Sequence, residues 1–165
     1  DRASEGEYLQ IFGPGGYVSL REVTYCGQRD PGALQSDLNQ YYKAFGFKPF
    51  REDPVDHLSV ELNFASFLEL KIAFALWNNQ LDEAEIAEKA LDYFLSKHVA
   101  DFSREVINKL NGKPYAGYLK AALDFLLAIV KKIPSLRISG NFPDTHQEDN
   151  DADCPHSKDT SSEII

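Results

Sequence analysis

The stretch from Glu52 to Trp77, EDPVDHLSVELNFASFLELKIAFALW, constrains the fold more than any other part of the chain. From Leu58 onward it reads as one long helix. Val60, Leu62, Phe64, Leu68, Leu70, Ile72, Phe74 and Trp77 spread around most of its circumference. A helix that is apolar on every side is expected at the centre of a fold, with neighbours packed around it. Pro54 fits the first turn of a helix, where its missing N–H costs nothing, and Asp53 before it is the expected N-cap. The start of this helix also carries charge. Asp56 lies where the helix dipole favours an anion, and His57 and Glu61, four apart, share a face. One reading is structural, with Asp56 capping the helix and His57 paired to Glu61. The other is a functional site.

The flanking segments are helical too. Tyr8, Ile11 and Phe12 fall on one face of a segment from Ser4 to Phe12, in which Ser4 and Glu7 have capping-box spacing. Gly13-Pro14-Gly15-Gly16 ends it, and no Gly-Lys-Ser/Thr follows to make a phosphate loop. Tyr17 to Gly27 has the Val, Thr and Tyr content of a short strand. Asp30-Pro31-Gly32 opens a helix through Leu34, Leu38, Tyr41, Tyr42 and Phe45, and Gly46 ends it. After Asn78-Asn79-Gln80, Asp82 is expected to cap a helix to Leu110 with the stripe Ile86, Ala90, Leu91, Phe94, Phe102 and Val106. His98 falls on that stripe and is expected to be buried and hydrogen-bonded. Pro114 opens a last helix from Tyr115 to Ile133, whose apolar face is Tyr118, Ala122, Phe125, Leu126, Ile129 and Val130, and Pro134 stops it. With every strong element helical and the connections short, the expectation is an all-α, single-domain helical bundle.

Residues 137–165 differ in composition from the rest. Seven acidic side chains face only Arg137 and Lys158, a net charge of −5. Such a tail cannot bury enough apolar surface to fold alone. The division is therefore a helical domain over 1–136 and an acidic, flexible tail over 137–165. Cys154 and His156, with Asp151 and Asp153, are too few and too loosely placed for a metal site.

Composition excludes several functions. A net charge of −9 argues against nucleic-acid binding by phosphate neutralisation. Two distant cysteines, Cys26 and Cys154, form neither a disulfide framework nor a zinc pattern. Cys26 has no base beside it and reads as an inert thiol. No apolar run approaches the ~18–20 residues of a membrane span. A cytoplasmic location is expected, and neither a resident cofactor nor a catalytic set is implied. One enzymatic alternative uses Asp56, His57 and His98 as ligands of an HD-like metal hydrolase, although such sites place His before Asp and draw further His and Asp from other helices.

Asp-Pro-Val-Asp-His-Leu-Ser-Val-Glu-Leu-Asn-Phe, residues 53–64, resembles the E-P-x-D-H-L-x-x-E-L-x-F signature of the TorD/DmsD/NarJ family of molybdoenzyme-specific chaperones, with Asp53 where that family usually has Glu. The resemblance extends more loosely from Glu7 to Ile133. Glu22 and Tyr25 match a Glu-x-x-aromatic loop, which lacks the family's prolines here. Phe94-Leu95-Ser96-Lys97-His98-Val99 matches F-L-x-x-H-L, with Phe102 the aromatic nearest to a usual Trp. What the resemblance implies is a TorD-like bundle that binds the twin-arginine leader or N-terminus of a molybdopterin-containing oxidoreductase until its cofactor is inserted. Its partner would be the catalytic subunit or signal peptide of that enzyme, and it would act as a monomer or homodimer. Tyr8, Ile11 and Phe12 match the segment that lines the family's leader groove, and Asp56 and Glu61 would supply acceptors for basic residues. His57 would tune the site near neutral pH. A helical adaptor without leader specificity is the remaining alternative. The chain opens at Asp1 as if mid-protein and has no methionine, even after Phe64 where the family often has one. Further N-terminal residues and helices, and methionines, are therefore expected in the whole protein; an intact mass equal to that of these 165 residues would exclude this.

Overall fold

The computed structural model describes residues 5–27, 29–49, 53–113 and 117–133. The expectations at Ser4, Pro114, Tyr115 and Pro134, and those for 137–165 with Cys154 and His156, lie outside them. Among the described residues the fold is all-α: α1 Glu5–Phe12, α2 Pro31–Phe45, α3 Leu58–Trp77, α4 Leu81–Phe94, α5 Ala100–Leu110 and α6 Gly117–Val130. A 3₁₀ turn at Glu22–Tyr25 lies between α1 and α2, and a π turn at Leu95–Val99 joins α4 to α5.

α2 forms as its ends dictate. The Asp30 carboxylate accepts from the backbone N–H of Ala33 at 2.7 Å, Pro31 occupies the first turn, and Gly46 closes the helix in the left-handed region at φ 70°. α3 starts differently from expectation. Pro54 and Asp53 precede the helix in a turn closed by His57 N–H donating to Pro54 O at 2.9 Å. The N-cap is His57, whose Nδ1 accepts from the N–H of Ser59 at 3.2 Å. Asp56 is diverted from capping by Arg21, and Glu61 is not paired with His57. Residues 17–27 form no strand. They make a single antiparallel bridge, Arg21 to His57, in which Glu22 N–H donates to Asp56 O (2.8 Å) and Leu58 N–H to Leu20 O (2.9 Å).

α3 and α4 pack as a hairpin whose core centres on Phe64, with its ring 4.7 Å from Phe94 and 4.9 Å from Tyr42. Leu34, Leu38, Leu68 and Leu91 complete this cluster. A second cluster joins Ile11, Val18 and Leu58 to Phe102, Val106 and Leu126 of α5 and α6, and Leu62 packs against both. α3 is not covered on every side. Leu70, Phe74 and Trp77 in its last two turns are 70%, 68% and 87% exposed. Its neighbours cover only the face carrying Leu68, Ile72 and Ala75 there.

The expected helix from Asp82 to Leu110 is interrupted. It starts at Leu81 with Gln80 as N-cap, so Asp82 lies within the first turn rather than capping it. Ala84 and Ala87 face the core while Ile86 is exposed. At the π turn Ala100 N–H donates to Leu95 O, five residues back. The wider turn places His98, Val99 and Ala100 all in the interior. On α6 the buried residues are Leu119, Leu126 and Val130, and Phe125 points outward. No described helix is long and apolar enough to cross a membrane.

Candidate functional site

Two features meet at the start of α3. The first is a buried polar cluster. Asp56 is fully buried and takes Arg21 through Nε (2.8 Å) and a terminal nitrogen (2.7 Å), with the N–H of Val23 at 3.3 Å. One turn on, Glu61 is also fully buried, and its two oxygens find no donor. Burial, and then the nearby carboxyls of Glu22 and Asp56, push its pKa well above the usual carboxylate range. The raised pKa favours the neutral acid at Glu61, where burial and the neighbouring carboxyls both work against a further ionised carboxylate.

Glu22, in the 3₁₀ turn, meets His98 of the π turn, with Nδ1 3.0 Å from Oε2 and 3.2 Å from Oε1. The other ring nitrogen of His98 lies 3.3 Å from Asp37 Oδ2 on α2, an ion-pair contact too poorly aligned for a full hydrogen bond. Asp37 also takes Lys97 (2.6 Å) and Arg29 (3.1 Å). Burial alone would depress the His98 pKa, but Asp37 and Glu22 outweigh it and raise it above the ordinary value. The same contact with His98, opposed by partial burial and reinforced by Lys97, holds Asp37 below its ordinary value. Burial and Glu22 push the Cys26 thiol up to about 11, which keeps it protonated and unreactive. His98 is thus the expected buried, hydrogen-bonded histidine.

The second feature is an apolar groove of about 510 Å³. Tyr8 and Phe12 of α1 line one side, with rings 5.2 Å apart. Leu58, Leu62, Ala65, Ser66 and Glu69 of α3 form the floor, at the spacing of one helical face. Ala122, Phe125 and Ile129 of α6 form the opposite wall, which is why part of the apolar face of α6 is not buried in the core. Leu20 closes the groove near Leu58. Its carbonyl holds the Leu58 N–H, and Glu22 two residues on is held by His98, so the polar cluster fixes one end of the groove.

The six residues expected to contact a peptide are therefore divided. Tyr8 and Phe12 line the groove, while Ile11 is buried beneath them. Half-buried His57 sits next to Leu58 with the Ser59 hydroxyl 2.7 Å from its ring, and burial lowers its pKa. Asp56 and Glu61 belong to the buried cluster, not to the groove surface. Sequence reasoning missed the α6 wall and Glu69. The 62-65-66-69 spacing was visible, but not which face of an all-round apolar helix would stay open. Among the described residues, no three His, Cys, Asp or Glu side chains are placed to hold a metal, so Asp56, His57 and His98 do not converge as the hydrolase alternative requires.

The family model described as nitrate reductase delta subunit matches residues 2–108. The chain belongs to this family. It is a family of molybdoenzyme assembly chaperones of the TorD-like kind, not of catalysts, and it includes the NarJ proteins that the 53–64 motif resembles. The match spans the motif, Glu22 and His98, that is, both sides of the buried cluster. Comparison with curated proteins gives no match. Members of the nitrate reductase delta family bind the catalytic subunit of a molybdoenzyme.

Proposed function

We propose that this protein is a cytoplasmic chaperone that binds the twin-arginine leader, or the N-terminal remnant of one, on a molybdopterin-containing oxidoreductase and holds it until the cofactor is inserted. The observation that carries the reading is the apolar groove between α1, α3 and α6 in a chain of this family. A leader is a basic segment followed by an apolar one, and an apolar segment gains about 25 cal/mol for each Å² it removes from water.

Tyr8 and Phe12 contact the apolar segment, and Ile11 supports them from the core. Asp56 and Glu61 act at one remove, through the bridge that holds Leu20 against Leu58. His57, at the exposed edge of that bridge, contacts the end of the bound segment. Titration calorimetry with a twin-arginine leader peptide tests this. We expect micromolar binding that weakens about tenfold, or about 1.4 kcal/mol, in Phe12→Ala and Tyr8→Ala. Absence of binding to any leader, or equal affinity in wild type and both variants, would refute it.

A further inference from the structure

We infer that the groove is directional: it receives the basic end of its ligand beside Glu69, in the middle of α3, and leads an apolar helical stretch of about eleven residues from there towards Leu58 and Leu20. This rests on the leader-binding reading above. Among the described residues, Glu69 is the one charged side chain lining the groove, and no Lys or Arg lines it. It is also the last α3 residue along the floor, eleven positions beyond Leu58. At 1.5 Å per residue the floor between them runs about 16 Å. A helical ligand of that length, running antiparallel to α3, has about eleven residues. That falls within the 7–15 apolar residues of a signal-peptide core, whereas an extended segment would cover the same floor with about five.

The α4 side repeats the charge sign. Glu88 precedes Leu91 by three residues, so it shares the helical face of Leu91, which lines the groove. α3 and α4 form a hairpin, and Glu88 lies nearer its turn than Leu91 does, on the side of Glu69. The nearby lysines are turned elsewhere: Lys71 lies over the Phe67 ring and Lys89 pairs with Glu85. At the other end, Leu20, Leu58 and Phe12 offer only apolar side chains. One end thus complements a cation, and the other complements the end of an apolar helix.

The test uses a leader peptide with its arginine pair, a second peptide with that pair replaced by glutamine, and the double variant Glu69→Gln, Glu88→Gln. Both glutamates are exposed, so the double variant is expected to fold normally. Breaking exposed ion pairs should weaken the arginine peptide about fivefold at low salt, with no change for the glutamine peptide. A photo-reactive phenylalanine placed directly after the arginine pair should cross-link to residues 66–73, and one placed eleven residues later to Phe12 or Leu20. Binding with cross-links in the reverse order, or equal loss for both peptides, would overturn the orientation while leaving leader binding intact. If neither peptide binds wild-type protein, both the orientation and the leader-binding reading fail.

Discussion

At the scale of single residues, the molecule is dominated by a proton inventory at the start of α3. Glu61 and His98 both bind protons more tightly in the folded chain than at their ordinary values of 4.5 and 6.5. The stability they contribute is full below those ordinary values and is lost as pH rises through the folded-state values. Asp37 works in the opposite sense. Its pKa is depressed from 3.8, so its contribution is present above that value and is lost as pH falls. Stability should therefore peak in mildly acidic solution and decline towards alkaline pH. In Glu61→Gln the amide replaces the neutral acid without needing its proton. Urea unfolding should then show a flatter alkaline limb, by at most about 1.4 kcal/mol per pH unit. His98→Ala should cost about 3–5 kcal/mol at pH 6, because it leaves Glu22 buried without its partner. An alkaline limb as steep in Glu61→Gln as in wild type would show that Glu61 is already ionised. That His98 would be buried was readable from its place on an apolar stripe. Its partners Glu22 and Asp37 were not, because they lie 76 and 61 positions earlier in the chain and no local pattern links them.

At the scale of elements, α3 shows what periodicity can and cannot supply. Its run to Trp77 and the termini of α2 followed from apolar spacing, Asp30-Pro31 and Gly46, whereas its start, expected at Pro54 behind Asp53, lies at Leu58 behind His57. Its cap did not, because Asp56 has a stronger partner in Arg21 than in the helix end. Its environment did not either, since apolar residues on all sides show that a helix can be surrounded, not that it is. The difference has measurable consequences. Phe64→Ala removes the ring at the centre of the aromatic cluster and should destabilise by about 3–5 kcal/mol. Trp77→Ala, at a side chain 87% exposed, should change stability by no more than about 0.5 kcal/mol. A multi-kcal/mol loss at Trp77 in thermal or urea unfolding would mean that the end of α3 is covered. The π turn was equally invisible. Its extra residue is held where His98 bridges the 3₁₀ turn and α2, a tertiary cause with no local signal.

At the scale of the whole molecule, the all-α architecture was legible because each segment carried its own start and stop signals. The groove was not. Its lining comes from α1, the Leu20 loop, α3, the α4–α5 join and α6, and only packing reveals which apolar faces are left unfilled. Tyr8 and Phe12 were identified through the family resemblance; Ala122, Phe125 and Ile129 had been read only as part of the apolar face of the last helix, and Leu119 was not singled out. The chemistry that results is that of a holder. Under the proposed function the apolar groove receives a partner segment, and one of its ends is held by a buried charge network that does not line it. The most direct test is photo-cross-linking in cells from the groove itself, with a photo-reactive residue at Ser66 or Leu123 and at an exposed control position such as Lys43. The account predicts that mass spectrometry will find the groove positions joined to the N-terminal segment of a molybdoenzyme catalytic subunit, and the control not. Cross-links from Ser66 and Leu123 only to the folded body of such an enzyme, or the same products from Lys43, would contradict it.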